Sequence, residues 1–264
     1  MKIATYNINS IKARAGNFFS WLKETEPDIV FLQEIKCETD NFLYFECESL
    51  GYKCAVLGQK SYNGVAILSK YDFQITAKNL PDFQEDEASR YIEILVDNGK
   101  EKFYVASIYA PNGCSADKVV QQEKLTYKLK WFDLFYNRAV SLLNSGYPVI
   151  FGGDFNVMLQ DIDVYDESRF KHSPLYIKEV QDKIRALSFA GFHDVFRTLY
   201  PEKEGYTFWD YTGNAFVTNL GLRIDYLFSS ARFVLRLKNC FVDKSLRMAD
   251  KPSDHTALIA EFED

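Results

Sequence analysis

The chain has 264 residues, of which 47% are hydrophobic and 26% are charged, and its formal net charge is −6. This length suits one large globular domain or two small ones, with an extensive core. No apolar run reaches the roughly 18–20 residues that a membrane helix needs. The opening "MKIATYNINS" lacks the pattern of a secretory signal. We therefore expect a cytoplasmic protein with no membrane segment. The acidic balance argues only weakly against a nucleic-acid partner, because a local basic face is enough to bind phosphates.

The cysteines exclude two classes of site. There are five of them, an odd number, and no CxxC pair occurs. A metal–thiolate centre or a disulfide framework is therefore not expected. We expect reduced, partly buried thiols at Cys37, Cys47, Cys54, Cys114 and Cys240.

Short apolar runs bounded by turn residues predict eleven strands. In chain order they are "KIATYNI", "DIVFLQEI", "KCAVLG", "GVAILSK", "FQITAKNL", "YIEILVDN", "FYVASIYA", "PVIFGGDFN", "RIDYLFSS", "VLRLKNCFV" and "HTALIAEF". Helical spacing predicts helices over residues 12–24, 38–49, 117–144 and 174–190; in the third, the apolar side carries Leu125, Leu129, Phe132, Phe135 and Val140. Runs such as "DIVFL" and "YPVIF" are apolar on both faces, which favours packed sheets over one open sheet. We expect a single α/β domain over residues 1–264, with two β-sheets packed face to face and helices outside.

Polar residues stand at the ends of several of these runs, where a buried core would not favour them. They are Asn7, Glu34, Tyr109, Asn112, Asp154, Asn156, Asp225, Asp254 and His255. Taken singly, most of them have an ordinary structural explanation. The alternatives are a turn residue for Asn7, a helix cap or solvated acid for Glu34, an Asx-turn for Asp154 and Asn156, a surface pair with Arg223 for Asp225, and a hydrogen-bonded strand histidine for His255. Because acids gathered without a cation are costly, we expect a bound metal ion if these strand ends converge.

Seven motifs in order carry a resemblance to a known family. "TYNINSIKAR", "LQEIK", "YAPNG", "GGDFNV", "TFWDY", "GLRIDYLFSS" and "KPSDHTALIAEF" resemble the exonuclease III family of abasic-site endonucleases, within the endonuclease/exonuclease/phosphatase superfamily. The likeness runs from residue 2 to about residue 262. It implies a four-layer α/β sandwich of two mixed β-sheets with helices outside.

The resemblance also assigns roles to the polar residues. Glu34 resembles the family's main carboxylate ligand for a divalent metal ion; the other metal-site residues carried over are Asn7, Asp154, Asn156, Asp254 and His255. The catalytic residues carried over are Tyr109, Asp154, Asn156, Asp225 and His255. Among them, Asp154 matches the acid that positions or activates water. Asp225 matches the carboxylate that orients the imidazole. Whether Asp154 or His255 takes the proton, and whether one or two metal ions bind, stays open.

These residue types suit hydrolysis of a phosphodiester. Attack by water adds negative charge to a group that is already negative. Mg²⁺ bound through oxygen ligands neutralises that charge, and we expect Mg²⁺ as the cofactor, with Mn²⁺ as a substitute. Amide, phenol and imidazolium groups donate hydrogen bonds to the nonbridging oxygens as charge develops.

Substrate contacts are implied in the same way. Phe208, Leu222 and Ile224 resemble the apolar pocket that accepts a flipped-out sugar without a base, and the alternative is that Phe208 and its neighbour Trp209 are plain core aromatics. Residues matching family positions that approach DNA are Lys12, Lys36, Arg90 and Asn112; the alternative for the three basic ones is ordinary solvated charge. Two departures concern the pocket region. A leucine stands at position 222, where some members have tryptophan, and the loop "DVYDESRFKHSPLY" is more acidic than a DNA-facing loop would prefer.

The motifs together predict a Mg²⁺-dependent DNA repair nuclease. It would act as a monomer on duplex DNA with abasic sites or blocked 3′ ends, cutting 5′ to the abasic site and trimming or degrading from 3′ ends. A second hypothesis is a phosphatase or phosphodiesterase of the same fold that acts on inositol phosphates or lipid head groups. A third is a non-enzymatic binding protein, although every expected ligand type is present in the chain.

Overall fold

The structure, a computed structural model, describes residues 1–83 and 86–263. Its first sheet contains β1 (Lys2–Asn7), β2 (Ile29–Gln33), β3 (Lys53–Leu57), β4 (Val65–Ser69), β11 (Leu237–Asp243) and β12 (Ala257–Phe262). The spatial order is β11-β12-β1-β2-β4-β3. Only the pair β1 and β2 is parallel, so the sheet is mixed, as expected.

The second sheet also has six strands. They are β5 (Asp72–Lys78), β6 (Tyr91–Asp97), β7 (Lys102–Tyr109), β8 (Val149–Asp154), β9 (Phe192–Asp194) and β10 (Asp225–Ser230), in the order β5-β6-β7-β8-β10-β9. The pair β7 and β8 is parallel and the other pairs are antiparallel. All eleven predicted strands are present. The prediction missed β9, which has only three residues and no apolar run of its own.

The helices are α1 (Ile11–Thr25), α2 (Tyr44–Glu48), α3 (Lys118–Asn144), α4 (Lys178–Ala190), α5 (Val195–Leu199), α6 (Ala231–Val234) and α7 (Ser245–Met248). The predictions for α1 and α3 are confirmed. The helix expected over residues 38–49 is wrong in extent, because Phe42 has an extended backbone and separates a short 3₁₀ turn from α2. The helix predicted over residues 174–190 begins four residues later than expected, at Lys178, because the backbone of Ile177 is also extended. None of the helices in the described residues combines the length and apolar character needed to cross a membrane.

Three layers of apolar side chains separate four layers of secondary structure. The central core lies between the sheets and includes Phe31 and Ile67 from the first sheet and Ile94 and Val105 from the second. A second core packs α3 and α4 against the outer face of the second sheet. A third packs α1 against the outer face of the first sheet. The expected four-layer α/β sandwich is therefore confirmed.

The strand directions bring the predicted polar residues to one end of the sandwich. Parallel strands end at the same sheet edge, so the ends of β1 and β2 are neighbours, and so are those of β7 and β8. Antiparallel β10 begins where β8 ends, which pairs Asp225 with Asp154. Gly152 lets the two sheets approach here, because a Cβ on it would lie 2.0 Å from the ring of Phe31. The glycine pair in "GGDFN" thus lets β8 pack closely against its neighbours immediately before Asp154.

Candidate active site

Three side chains from three different strand ends converge at this edge. Ligand atoms of Glu34, Asp154 and His255 all lie within 4.8 Å of one another. The amide of Asn7, which is fully buried, donates to Glu34 Oε1 at 2.9 Å and to Asp154 Oδ2 at 3.0 Å. Asn7 therefore bridges the two sheets and fixes the separation of the two carboxylates.

A buried carboxylate holds the imidazole of His255. Asp225 Oδ2 lies 2.8 Å from His255 Nδ1 and also accepts a hydrogen bond from the Thr207 hydroxyl at 2.6 Å. Burial alone would lower the pKa of His255, but the charges of Asp225 and Asp154 outweigh it and raise the pKa to about 10. The imidazole is therefore protonated at neutral pH, with Nε2 directed toward Asp154 at 3.7 Å. An imidazolium is a hydrogen-bond donor and cannot ligate a metal ion.

The pKa values of the two central acids, Asp154 and Glu34, are shifted in opposite directions. Burial, together with the nearby charges of Asp225 and Glu34, raises the pKa of Asp154 to about 7, although His255 opposes the shift. Burial also acts to raise the pKa of Glu34, but hydrogen bonds from Asn7 and Lys36 reverse it and leave that pKa below its usual value. Lys36 Nζ lies 2.8 Å from Glu34 Oε2. At neutral pH, Glu34 is therefore a fixed charge and Asp154 can exchange a proton.

Amide and phenol donors surround the acids. Asp154 Oδ1 accepts from the backbone N–H of Asn156, which has a left-handed backbone with φ of 50°. The side chain of Asn156 donates to the Ala110 carbonyl at 2.9 Å and accepts from the Asn112 amide at 3.1 Å. The Asx-turn alternative is thus also correct for Asp154, and that turn aims the asparagine side chain back at β7.

Tyr109 ends β7 beside this group. Burial and the neighbouring charges of Glu34 and Asp154 raise the pKa of Tyr109 well above its usual value. The Arg90 guanidinium lies 5.0 Å from the centre of its ring and donates to its backbone carbonyl at 3.3 Å. The phenol therefore keeps its proton and stays a hydrogen-bond donor.

The donor set fits a hard divalent cation. Glu34 and Asp154 supply carboxylate oxygens, the ligand type that Mg²⁺ and Mn²⁺ prefer. Asn7, which was also expected at the metal site, turns its NH₂ group toward both carboxylates, while its oxygen accepts from the backbone N–H of Asn9 at 3.1 Å. Asp254 does not join the group, because its carboxylate accepts from the Asn9 side chain at 3.0 Å instead. A metal ion would thus be held mainly by Glu34 and Asp154, with the Asn7 amide fixing their separation.

A cavity of about 450 Å³ lies next to this group and is connected to it through two of its lining residues, Phe208 and Asn112. Phe208 lines it and packs its ring edge-on against the imidazole of His255, with ring centres 4.9 Å apart. Asn112 and Leu222 line it as well, whereas Ile224 is buried in the apolar cluster that includes Leu222. Phe208 is therefore a cavity wall, and the core-aromatic alternative holds only for Trp209, which is fully buried.

Comparison with known proteins identifies the family of this chain. The family model described as "Endonuclease/Exonuclease/phosphatase family" matches residues 4–255. This chain belongs to that family. It is 29% identical to exodeoxyribonuclease III of Haemophilus influenzae, over 99% of this chain and 100% of that protein. Two solved structures cover 100% of both chains: the 3′ phosphatase NExo from Neisseria bound to a product DNA hairpin, at 32% identity and a TM-score of 0.94, and an AP endonuclease from Archaeoglobus fulgidus, at 31% and 0.92.

The basic residues predicted to approach DNA lie in different settings in this family member. Lys12 is exposed on the first turn of α1. Lys36 is bound to Glu34 and to Asn9 Oδ1, so it is part of the acidic cluster rather than free surface charge. Arg90 is half-buried against Tyr109.

Three residues of the site were not found from the sequence. The side chain of Asn9 accepts a hydrogen bond from Lys36 and donates one to Asp254. Its backbone N–H donates to the side-chain oxygen of Asn7. Thr207 holds Asp225. Lys128 is buried beneath the loops that carry the asparagines. A signal existed for Lys128 alone, because a lysine three residues from Leu125 and four from Phe132 falls on the apolar side of α3.

The imidazolium of His255 predicts a pH dependence of stability. In the unfolded chain its pKa is about 6.5, and in the folded protein it is about 10. Its stabilising contribution is therefore complete below about pH 6.5 and is lost as pH rises through about 10. Without metal, the free energy of unfolding should fall between pH 7 and 10 more steeply in the parent than in His255→Gln. Denaturant titrations at several pH values measure this, and parallel curves for the two proteins would contradict it.

Proposed function

We propose that this chain is a Mg²⁺-dependent DNA repair nuclease. It hydrolyses the phosphodiester on the 5′ side of an abasic site in duplex DNA and leaves a 3′ hydroxyl, and it also removes nucleotides or blocking groups from 3′ ends. The single observation that carries the proposal is the convergence of Glu34, Asp154 and His255 beside a cavity with an apolar wall. The relatives support the choice of DNA, since their names include exodeoxyribonuclease III, AP endonuclease and a 3′ phosphatase bound to a DNA hairpin.

The protonation state of each side chain decides whether it accepts a proton or donates a hydrogen bond during hydrolysis. Asp154, a buried carboxylate beside the protonated His255, positions the attacking water and takes its proton. His255 stays protonated beside Asp225 and donates a hydrogen bond to a nonbridging phosphate oxygen. Asn156 and the phenol of Tyr109 donate to the same phosphate as charge develops. The arrangement favours Asp154 over His255 as the base.

The metal site completes the charge balance. A Mg²⁺ ion, or Mn²⁺ in its place, held by Glu34 with Asp154, would neutralise the phosphate and stabilise the leaving 3′ oxygen, while Asn7 supports both carboxylates. Lys36 keeps Glu34 ionised for this purpose through its 2.8 Å contact. Asn156, Asp254 and His255 then serve around the metal site as donors or supports rather than as direct ligands.

The cavity and two basic residues, Lys12 and Arg90, select the substrate. Phe208 and Leu222 provide an apolar wall for a sugar that lacks a base, with Ile224 packed behind it. Lys12 and Arg90 contribute charge toward the DNA backbone, and this part of the affinity is salt-dependent. We further propose that residues 1–264 act as one domain and as a monomer, in the compartment that holds the DNA.

A duplex oligonucleotide with one tetrahydrofuran site tests the proposal. With Mg²⁺ present, the strand should be nicked on the 5′ side of the lesion, and EDTA should abolish nicking. Gel electrophoresis with an end label measures both results, and extension by a DNA polymerase identifies the 3′ hydroxyl. A second duplex with a 3′ phosphate tests end trimming. If both duplexes stay intact while an inositol polyphosphate loses phosphate, the chain is instead a phosphatase of the same fold.

A further inference from the structure

One fully buried lysine lies beneath the candidate active site. Lys128 extends from the middle of α3, and its ammonium donates to three backbone carbonyls: Asn112 O at 3.1 Å, Asn156 O at 2.6 Å and Pro174 O at 3.0 Å. No carboxylate pairs with it among the contacts of the described residues. Burial lowers its pKa to about 7. An ammonium buried without a carboxylate is costly, and here three backbone carbonyls offset that cost.

Each of the three carbonyls belongs to a segment that serves the site. The segment after β7 presents the Asn112 side chain, and the segment after β8 presents Asn156; these two side chains are hydrogen-bonded to each other at 3.1 Å. Pro174 lies between Ser173 and Leu175, which both line the cavity. One ammonium thus connects Asn156, which is proposed to meet the phosphate, Asn112, which is expected to approach the DNA, and one wall of the sugar pocket.

The backbone around the ammonium leaves little freedom. Gly113 has φ of 83°, and a Cβ there would lie 3.0 Å from Pro174 Cβ and 3.1 Å from Lys128 Cδ. The segment after β7 therefore packs directly on the lysine stem and on the cavity wall. Met158 N donates to Leu175 O at 2.7 Å, which ties the segment after β8 to the same wall.

We propose that Lys128 is a positioning residue, which sets the Asn112 and Asn156 amides and the 173–175 wall in the relative geometry that the reaction needs. This inference rests on the proposed function, and it adds a residue with no direct contact to the substrate. Loss of the ammonium would leave three carbonyls without a donor and let the segments separate. Because small misplacements of reacting groups cost rate more than binding, the effect should fall on kcat.

A variant set on one helix separates positioning from stability. Lys128→Met removes the donors, Lys128→Gln keeps a neutral N–H donor on a shorter side chain, and Lys128→Arg keeps the charge. Arg138→Met is the matched control. It also lies on α3, ten residues away, and it breaks a buried pair in which Arg138 donates to Glu93 at 2.8 and 2.6 Å. Each protein is assayed on the tetrahydrofuran duplex for kcat and KM, and its melting temperature is measured.

For Lys128→Met we expect kcat to fall roughly 10- to 100-fold, with KM within about 3-fold of the parent. Lys128→Gln should be intermediate, and Lys128→Arg should recover part of the loss. Arg138→Met should melt lower but keep the parent kcat. If Lys128→Met fails to fold, the Gln variant decides the question. A parent kcat in the neutral variants, or an equal loss in Arg138→Met, overturns the inference. A parent that does not cut the duplex contradicts the proposed function itself.

Discussion

Asp154→Asn is expected to lower kcat on the tetrahydrofuran duplex by about 1000-fold, within the range seen when a general base is removed. The carboxylate is buried, and its pKa of about 7 allows it to gain and lose a proton near neutral pH. The amide has nearly the same shape but cannot take a proton from water. KM should change little when Mg²⁺ is saturating, because Lys12 and Arg90, the basic residues proposed to contribute charge toward the DNA backbone, are unchanged. Steady-state kinetics at saturating Mg²⁺ measure both constants.

The same substitution should leave the fold intact. Asp154 is a buried acid close to Asp225 and Glu34, so removing its charge relieves repulsion in the metal-free protein. This gain offsets the loss of one acceptor for Asn7, and we expect a melting temperature close to that of the parent. Asp133→Asn, an exposed acid paired with Lys183, is the matched control and should keep the parent kcat. A large fall in melting temperature, or a kcat near that of the parent, would mean that Asp154 is structural.

The convergence of the acids could be predicted because it follows from short-range patterns. β2 and β8 are apolar on both faces and are buried at every position, as the runs "DIVFL" and "YPVIF" indicated. A polar residue at the end of such a strand lies where the strand leaves the core, and the packed strand beneath it holds its side chain in a fixed position. Motif order then related Glu34 to Asp154 and His255, which are far apart in the chain.

Contacts set by packing between distant segments could not be predicted. Arg223 was an alternative surface partner for Asp225, but it is fully buried and pairs with Asp163 and Asp194, 60 and 29 residues away. Asp254 was expected at the metal site and is bound by Asn9 instead. In each case several oppositely charged or polar groups were available, and only the three-dimensional arrangement selects among them.

Glu34→Gln is expected to weaken the response to Mg²⁺ strongly. Of the two central acids, Glu34 is the one whose pKa is lowered. Together with Asp154 it provides the negative charge that attracts a divalent cation. The glutamine keeps the acceptor for Asn7 but removes one of these two charges. We expect about 100-fold less nicking at low Mg²⁺, with partial recovery at high Mg²⁺, because losing even an indirect metal contact costs 10- to 100-fold.

Two readouts separate lost metal binding from lost structure. Nicking is measured across a Mg²⁺ titration, and the melting temperature is measured with and without Mg²⁺ in the absence of DNA. Mg²⁺ should raise the melting temperature of the parent, because an ion that binds only the folded state stabilises it by mass action. In Glu34→Gln that rise should shrink while the metal-free melting temperature stays near the parent value. If instead the variant melts far lower without metal, Glu34 supports the fold through Lys36 and Asn7. An unchanged Mg²⁺ titration would place the cation elsewhere, because the charge at Glu34 would then have no part in holding it.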